Sequence, residues 1–149
     1  MSKIREYPER PVVGVGVVVL REDKVLLIKR GKDPNKGQWS IPGGKQKLGE
    51  TIVQAVHREL LEETSVKIKQ PSLLDVVDVI MPDDKGEIQY HYTLVDYHAE
   101  WLSGECRSGD DADAVKWISY DELDLVGLID ITKDIILKAF SKRNEISFH

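Results

Sequence analysis

Residues 44–66 read GKQKLGETIVQAVHRELLEETSV, a glycine-led loop running straight into an amphipathic helix. Within it Glu59, Glu62 and Glu63 stand at i, i+3 and i+4, so their side chains share one helical face over a single turn. Like charges stacked this way repel by ~0.2–0.5 kcal/mol for each neighbouring pair. Only Arg58 and Lys67 are near enough in sequence to relieve them. Carboxylates gathered at a cost suit an external cation, and an oxygen-only donor set suits Mg²⁺, Mn²⁺ or Ca²⁺. A solvated acidic face is the plain alternative, and the surroundings argue against it. Val53, Val56 and Leu60, with Ile52 beside them, fall in a separate sector of the helix, so one stripe can pack on a sheet while the acidic face borders a groove. Pro42, Gly43 and Gly44 come just before, and glycine backbone can approach a phosphate or a metal closely. Glu50 and Thr51 are candidates for capping the helix start.

The spacing resembles the signature of the Nudix hydrolases: glycine, five residues, glutamate, seven residues, then Arg-Glu-aliphatic-any-Glu-Glu-any-Gly-aliphatic. Gly44, Glu50, Arg58, Glu59, Leu60, Glu62, Glu63 and Val66 meet it, and Ser65 departs from it, standing where the family has glycine. At average usage, six such charged or glycine matches arise by chance on the order of once in ten million starting positions. Ser65 has a Cβ, so a left-handed helix end there costs roughly 1–2 kcal/mol.

The resemblance implies an α+β fold, an α/β/α sandwich with a mixed sheet and helices on its faces, and an enzyme that uses Mg²⁺, or Mn²⁺, to hydrolyse a nucleotide. It implies Glu59, Glu62 and Glu63 as metal ligands, one doubling as base, with the Gly43 carbonyl and Asp111 as further ligands. Arg58 pairs with Glu50 to orient the set, and Arg30, Gly44, Lys45, Tyr90 and Asp110 fall on the substrate side. Each has a simpler alternative: Arg30 as a surface cation, the Arg58–Glu50 pair as stabilising only, Asp110 and Asp111 as a solvated acidic turn. The group chemistry is consistent. An acidic site binds a diphosphate only with divalent cations between the two, and these polarise phosphoryl oxygens and acidify a bound water whose proton a carboxylate can take.

Substrate choice is less legible. Pro82 stands sixteen residues beyond Val66, a placement similar to that in ADP-ribose pyrophosphatases, although proline is common in turns for its own reasons. The expectation is ADP-ribose cleaved to AMP and ribose 5-phosphate. The alternatives are a sanitising, MutT-like nucleoside triphosphate pyrophosphatase and a nucleotide-binding module without catalysis. Tyr90, His91, Tyr92 and Arg30 could serve either substrate by stacking and by charge.

Composition bounds the rest. A chain of 149 residues can bury roughly 68–70% of its extended surface, and we read residues 1–149 as one domain with 1–10 loosely held. A net charge of −5 argues against a nucleic-acid binder. The single Cys106 suits a reducing compartment, and no segment reads as a signal peptide or a membrane span. These features point to a cytoplasmic protein with a small-molecule nucleotide partner, and they leave room for a homodimer. The pattern predicts strands over 11–20, 24–29, 73–80, 88–97 and 114–118, a turn over 81–86 and a loop over 100–113. It also predicts a helical turn over 120–123 and a terminal helix over 131–143 capped by Asp130 or Thr132. Gly14 and Gly16 read as strand glycines, since no third glycine and helix follow.

Overall fold

The computed structural model describes residues 6–109 and 112–146. Its central strand, β1 (Val12–Arg21), is buried from Gly14 to Leu20. A strand covered on both faces needs apolar residues at every position, which is why VVGVGVVVL carries no polar alternation. β7 (Ile88–Ser103) runs parallel along one edge of β1, Val12 opposite Tyr92 through Leu20 opposite Glu100. The other edge is divided. β2 (Lys24–Arg30) pairs only with Leu20 and Arg21 before diverging. The fork so opened takes β3 (Trp39–Ser40) against β2 and β4 (Gly43–Lys45) against Gly14 to Gly16 of β1. Outside these lie β8 (Ala112–Ser119) on β2, β6 (Ser72–Pro82) on β7, and β5 (Lys67–Ile68) on the far end of β7.

α1 (Ile52–Thr64) covers one face, where Ala55, Val56 and Leu60 pack on Val15, Val17, Val19 and Leu26. α2 (Asp130–Ile146) covers the other, where Ile135, Ile136, Ala139 and Phe140 meet Val18, Leu20, Val25 and Leu27. The α+β sandwich expected from the resemblance is therefore the observed architecture. No helix among the described residues is long and apolar enough to cross a membrane.

Four local expectations are corrected. The glycines before α1 form a short strand, β4, because the fork between β1 and β2 exposes unpaired β1 backbone that only a chain without side-chain bulk can join. A Cβ on Gly43 would lie 2.1 Å from the Val15 carbonyl oxygen. Residues 100–103 belong to β7 and 112–113 to β8, although charges break their pattern, because β5 and β2 pair with them. Arg30 is the last residue of β2 and lies at a register shift, not beyond the strand. Asp130 is itself the first residue of α2, so the helix starts a residue earlier than predicted.

Candidate active site

α1 is fixed at both ends. Thr51 caps it, its Oγ1 accepting from the Gln54 N–H (3.1 Å) while Gln54 Oε1 accepts from the Thr51 N–H (2.9 Å), a reciprocal capping box. At the other end Ser65 adopts φ 64°, the left-handed conformation its Cβ resists, and its N–H donates to the Leu61 carbonyl (3.0 Å). The next loop lies across this end, Arg107 N–H donating to the Thr64 carbonyl and Gly109 N–H to the Glu63 carbonyl, each at 2.8 Å.

β4 aims its backbone at the acidic face of α1. Ladder bonds from Val17 N–H to the Pro42 carbonyl and from Gln46 N–H to the Val13 carbonyl mean, by antiparallel alternation, that Gly43 and Lys45 turn their polar groups away from β1. Gly43 N–H donates to Glu63 Oε1 at 2.8 Å. Lys45 offers its carbonyl to an Arg58 Nη at 2.9 Å. Glu63 is only 4% exposed, so this amide bond satisfies a carboxylate that burial would otherwise penalise. Gly44 is close enough to Glu59 that a Cβ would stand 2.3 Å from its carboxyl carbon.

Arg58 ties the rest together. Its Nε and one Nη bond Glu50 at 2.6 and 3.0 Å, a two-point fork, and its other Nη reaches Glu59 at 2.7 Å and Glu62 at 3.2 Å. A planar guanidinium can do this where a lysine could not. Hydrogen bonding to Arg58, helped by the Lys47 backbone, lowers the Glu50 pKa to about 2, and the same bond to Glu50 raises that of Arg58 further. One cation thus serves three carboxylates of like charge. With Glu59 and Glu62 turned onto Arg58 and Glu63 onto Gly43, no three acidic, histidine or cysteine side chains converge as a ready cation cage among the described residues. The donor set nonetheless fits a hard divalent cation: three carboxylates and an outward glycine carbonyl, with neither sulfur nor imidazole.

This cluster lies at the wall of an open groove of about 1830 Å³, which also includes Arg30, Gly44, Lys45, Glu59, Glu62 and Glu63 among its lining. Arg30 is braced by a bond from its Nε to the Pro34 carbonyl (2.8 Å). Tyr90 is 6% exposed and stacks on Tyr92 at 6.5 Å; of the two it is Tyr92 that lines the groove. Asp110 and Asp111 lie outside the described residues. Tyr92, expected with Tyr90 as a stacking residue, is the one that reaches the groove, and Asp96, which also lines it, was not singled out from the sequence. Its signal in the sequence is slight, a lone acid between Val95 and Tyr97.

The NUDIX domain family profile matches residues 10–140 of this chain. An ADP-ribose pyrophosphatase from Methanocaldococcus jannaschii is 35% identical over 123 residues, spanning 83% of this chain and 70% of that one. Among solved structures, a MutT NUDIX hydrolase from Burkholderia pseudomallei superposes with a TM-score of 0.75 at 33% identity, covering 87% of this chain and 98% of that one. The NUDIX domain of Shewanella oneidensis NrtR, complexed with ADP ribose, gives a TM-score of 0.75 at 25% identity, covering 90% and 89%.

Proposed function

This chain belongs to the Nudix hydrolase family, and we propose that its α1 carboxylates act with a divalent cation to split the phosphoanhydride of a nucleoside diphosphate linked to another moiety, ADP-ribose before others. The observation that carries the reading is the gathering of Glu50, Glu59 and Glu62 on Arg58, beside Glu63 on the Gly43 amide, at the wall of one groove. Purely structural ion pairing does not need three stacked acids around a single cation.

Glu59, Glu62, Glu63 and the Gly43 carbonyl would hold Mg²⁺ or Mn²⁺, with Asp111 as a further ligand; the cation supplies charge neutralisation and a more acidic water. The protein groups do the rest. Arg58, anchored through Glu50 and the Lys45 carbonyl, sets the carboxylate spacing. Glu62, half-exposed and on the longest of the Arg58 bonds, is the carboxylate most free to take the proton of the attacking water. Its partner step forms a water oxygen–phosphorus bond and breaks the bridging oxygen–phosphorus bond, in line. Arg30, Lys45 and the bare Gly44 backbone meet the substrate's phosphates, Asp110 is a further substrate-side residue by the family resemblance alone, and Tyr90 backs the aromatic wall.

ADP-ribose is favoured by likeness to the M. jannaschii enzyme and to a domain solved with ADP ribose. Likeness to a MutT hydrolase keeps a nucleoside triphosphate pyrophosphatase as the second reading. Purified protein with Mg²⁺ or Mn²⁺ is expected to release AMP and ribose 5-phosphate from ADP-ribose, with kcat/KM at least tenfold above that for any nucleoside triphosphate, 8-oxo-dGTP included. The reverse preference would remove the ADP-ribose assignment and leave the hydrolase reading standing. Binding without turnover of any nucleotide would leave only a binding module.

A further inference from the structure

The groove has a polar group for which hydrolysis has no use. β7 sets Asp96 opposite Gly16 of β1 on one side and Asp75 of β6 on the other. Asp96 is 7% exposed and lines the groove. Among the described residues no hydrogen bond or ion pair reaches its carboxyl; its one electrostatic neighbour, Asp75, is another acid. The nearby cation is already engaged, Lys138 of α2 pairing with Asp75 at 3.2 Å. Burial first, then Asp75, raises the Asp96 pKa to about 6. A buried carboxyl without a donor is costly, and here the open side of that carboxyl is the groove.

The glycines beside it make room for its carboxyl and for its neighbours. A Cβ on Gly16 would lie 2.5 Å from Asp96 Oδ1 and 3.0 Å from Ile41 Cδ1, and one on Gly14 would lie 2.7 Å from Leu94 Cδ2. These side chains therefore lie over the two buried glycines, and Ile41, Leu94 and Asp96 line the groove there with Ile135 of α2. An apolar surface that carries an unpartnered acceptor suits a planar heterocycle with an N–H donor. Register ties it to the carboxylate cluster, for Asp96, Gly16 and Gly43 are consecutive partners across β7, β1 and β4. That is about two strand spacings, ~10 Å, and Gly43 is the residue whose amide holds Glu63.

We propose that Asp96 is a specificity-determining residue that accepts a hydrogen bond from the exocyclic amino group of the nucleobase, the base lying against Leu94 and Ile41 with its phosphates toward Gly43 and Lys45. The inference rests on the nucleotide-substrate reading above. A keto base presents an acceptor at the same place and meets the carboxylate oxygen to oxygen, so the site selects adenine over hypoxanthine. A site built around one polar pairing rejects the analogue that leaves its buried group unpaired.

Calorimetric binding of AMP and IMP is paired with kcat/KM for ADP-ribose and its hypoxanthine counterpart, in the wild type, Asp96→Asn and Asp96→Leu. The wild type is expected to favour the amino base at least tenfold in both measurements. Asp96→Asn, whose amide can also donate to a keto oxygen, should move that ratio at least tenfold toward hypoxanthine, in KM more than in kcat. Asp96→Leu should bring the ratio near one. Base ratios unchanged in both variants, whatever their melting temperatures, would overturn the proposal. If no nucleotide is cleaved but the AMP preference still follows residue 96, the hydrolase reading fails and this one stands. If ADP-ribose is cleaved with base ratios indifferent to residue 96, the outcome is the opposite. Failure of the wild type to bind either nucleotide would remove both.

Discussion

The two walls of the groove treat the same functional group in opposite ways. On the α1 side, carboxylates are crowded and satisfied: one guanidinium serves Glu50, Glu59 and Glu62, and one amide serves Glu63. On the β7 side, no hydrogen bond or ion pair reaches the Asp96 carboxyl among the described residues, and it faces the groove. Partners hold the Glu50 pKa at about 2, whereas burial lifts that of Asp96 to about 6. Acids held and spaced by a rigid cation suit a divalent ion and proton transfer. An acid set among apolar side chains and facing the groove suits recognition of a neutral donor. What separates the walls is the supply of donors, since both contain carboxyl groups within one groove.

The contrast is broken most severely on the α1 side. Glu62→Gln and Glu63→Gln are each expected to lower kcat by a factor on the order of 10² or more. They should differ in kind. Glu63→Gln keeps an acceptor for the Gly43 amide but loses a charge, so it should also raise the Mg²⁺ concentration needed for half-maximal rate. Glu62→Gln should leave that titration closer to wild type. Melting temperature should hold in both, because relief of like-charge repulsion offsets the lost contacts. Near wild-type turnover in both variants would mean that the reaction is not centred on this face.

How legible these walls were depended on whether the decisive contacts are local. Residues from Gly44 to Val66 are contiguous in sequence and the three acids share the one helix α1, so the sharing of a face by Glu59, Glu62 and Glu63 follows from 3.6-residue periodicity alone. The Glu50–Arg58 pair was expected from the resemblance, whereas the reach of Arg58 to the Lys45 carbonyl needed β4 to be a strand. Asp96 was hidden for the opposite reason. Its neighbours Gly16 and Asp75 are distant in sequence, and only pairing across β1, β7 and β6 brings them together. The loop predicted over 100–113 failed similarly, since β5 and β2 are what make its ends strands.

A smaller effect sharpens the contrast through pH. Glu50 has its pKa lowered on folding, so its pairing supports the fold fully above about pH 4.5 and is lost as pH falls toward about 2. Wild type should therefore lose more stability than Glu50→Gln across that window. Asp96 has its pKa raised from 3.8 to about 6, so the folded state holds the proton more tightly and stability falls as pH rises through that interval. Asp96→Asn lacks that fall. Measured by denaturant unfolding, its stability relative to wild type should improve between pH 3.5 and pH 7 by on the order of 2 kcal/mol. Parallel pH profiles for wild type and Asp96→Asn would mean that Asp96 is already paired in solution and that the two walls do not differ.

The smallest expected effect concerns the frame that holds the crowded wall. Ser65 ends α1 at φ 64°, where its Cβ is strained by roughly 1–2 kcal/mol. Glycine removes that strain but adds freedom to the unfolded chain, a loss of roughly 0.5–1 kcal/mol. The balance favours Ser65→Gly by up to ~1 kcal/mol, a rise in melting temperature of about 2–4 °C for a chain of this size. Activity should stay within about twofold, because the acids take their spacing from Arg58 and Gly43 and not from the helix end. The loop carrying Arg107 and Gly109 bonds the Thr64 and Glu63 carbonyls, and these precede the substituted residue. A stabilised protein with intact turnover would separate strain in the scaffold from charge crowding in the site. A tenfold fall in kcat would instead show that the left-handed turn at Ser65 positions Glu62 and Glu63, making the helix end part of the catalytic wall.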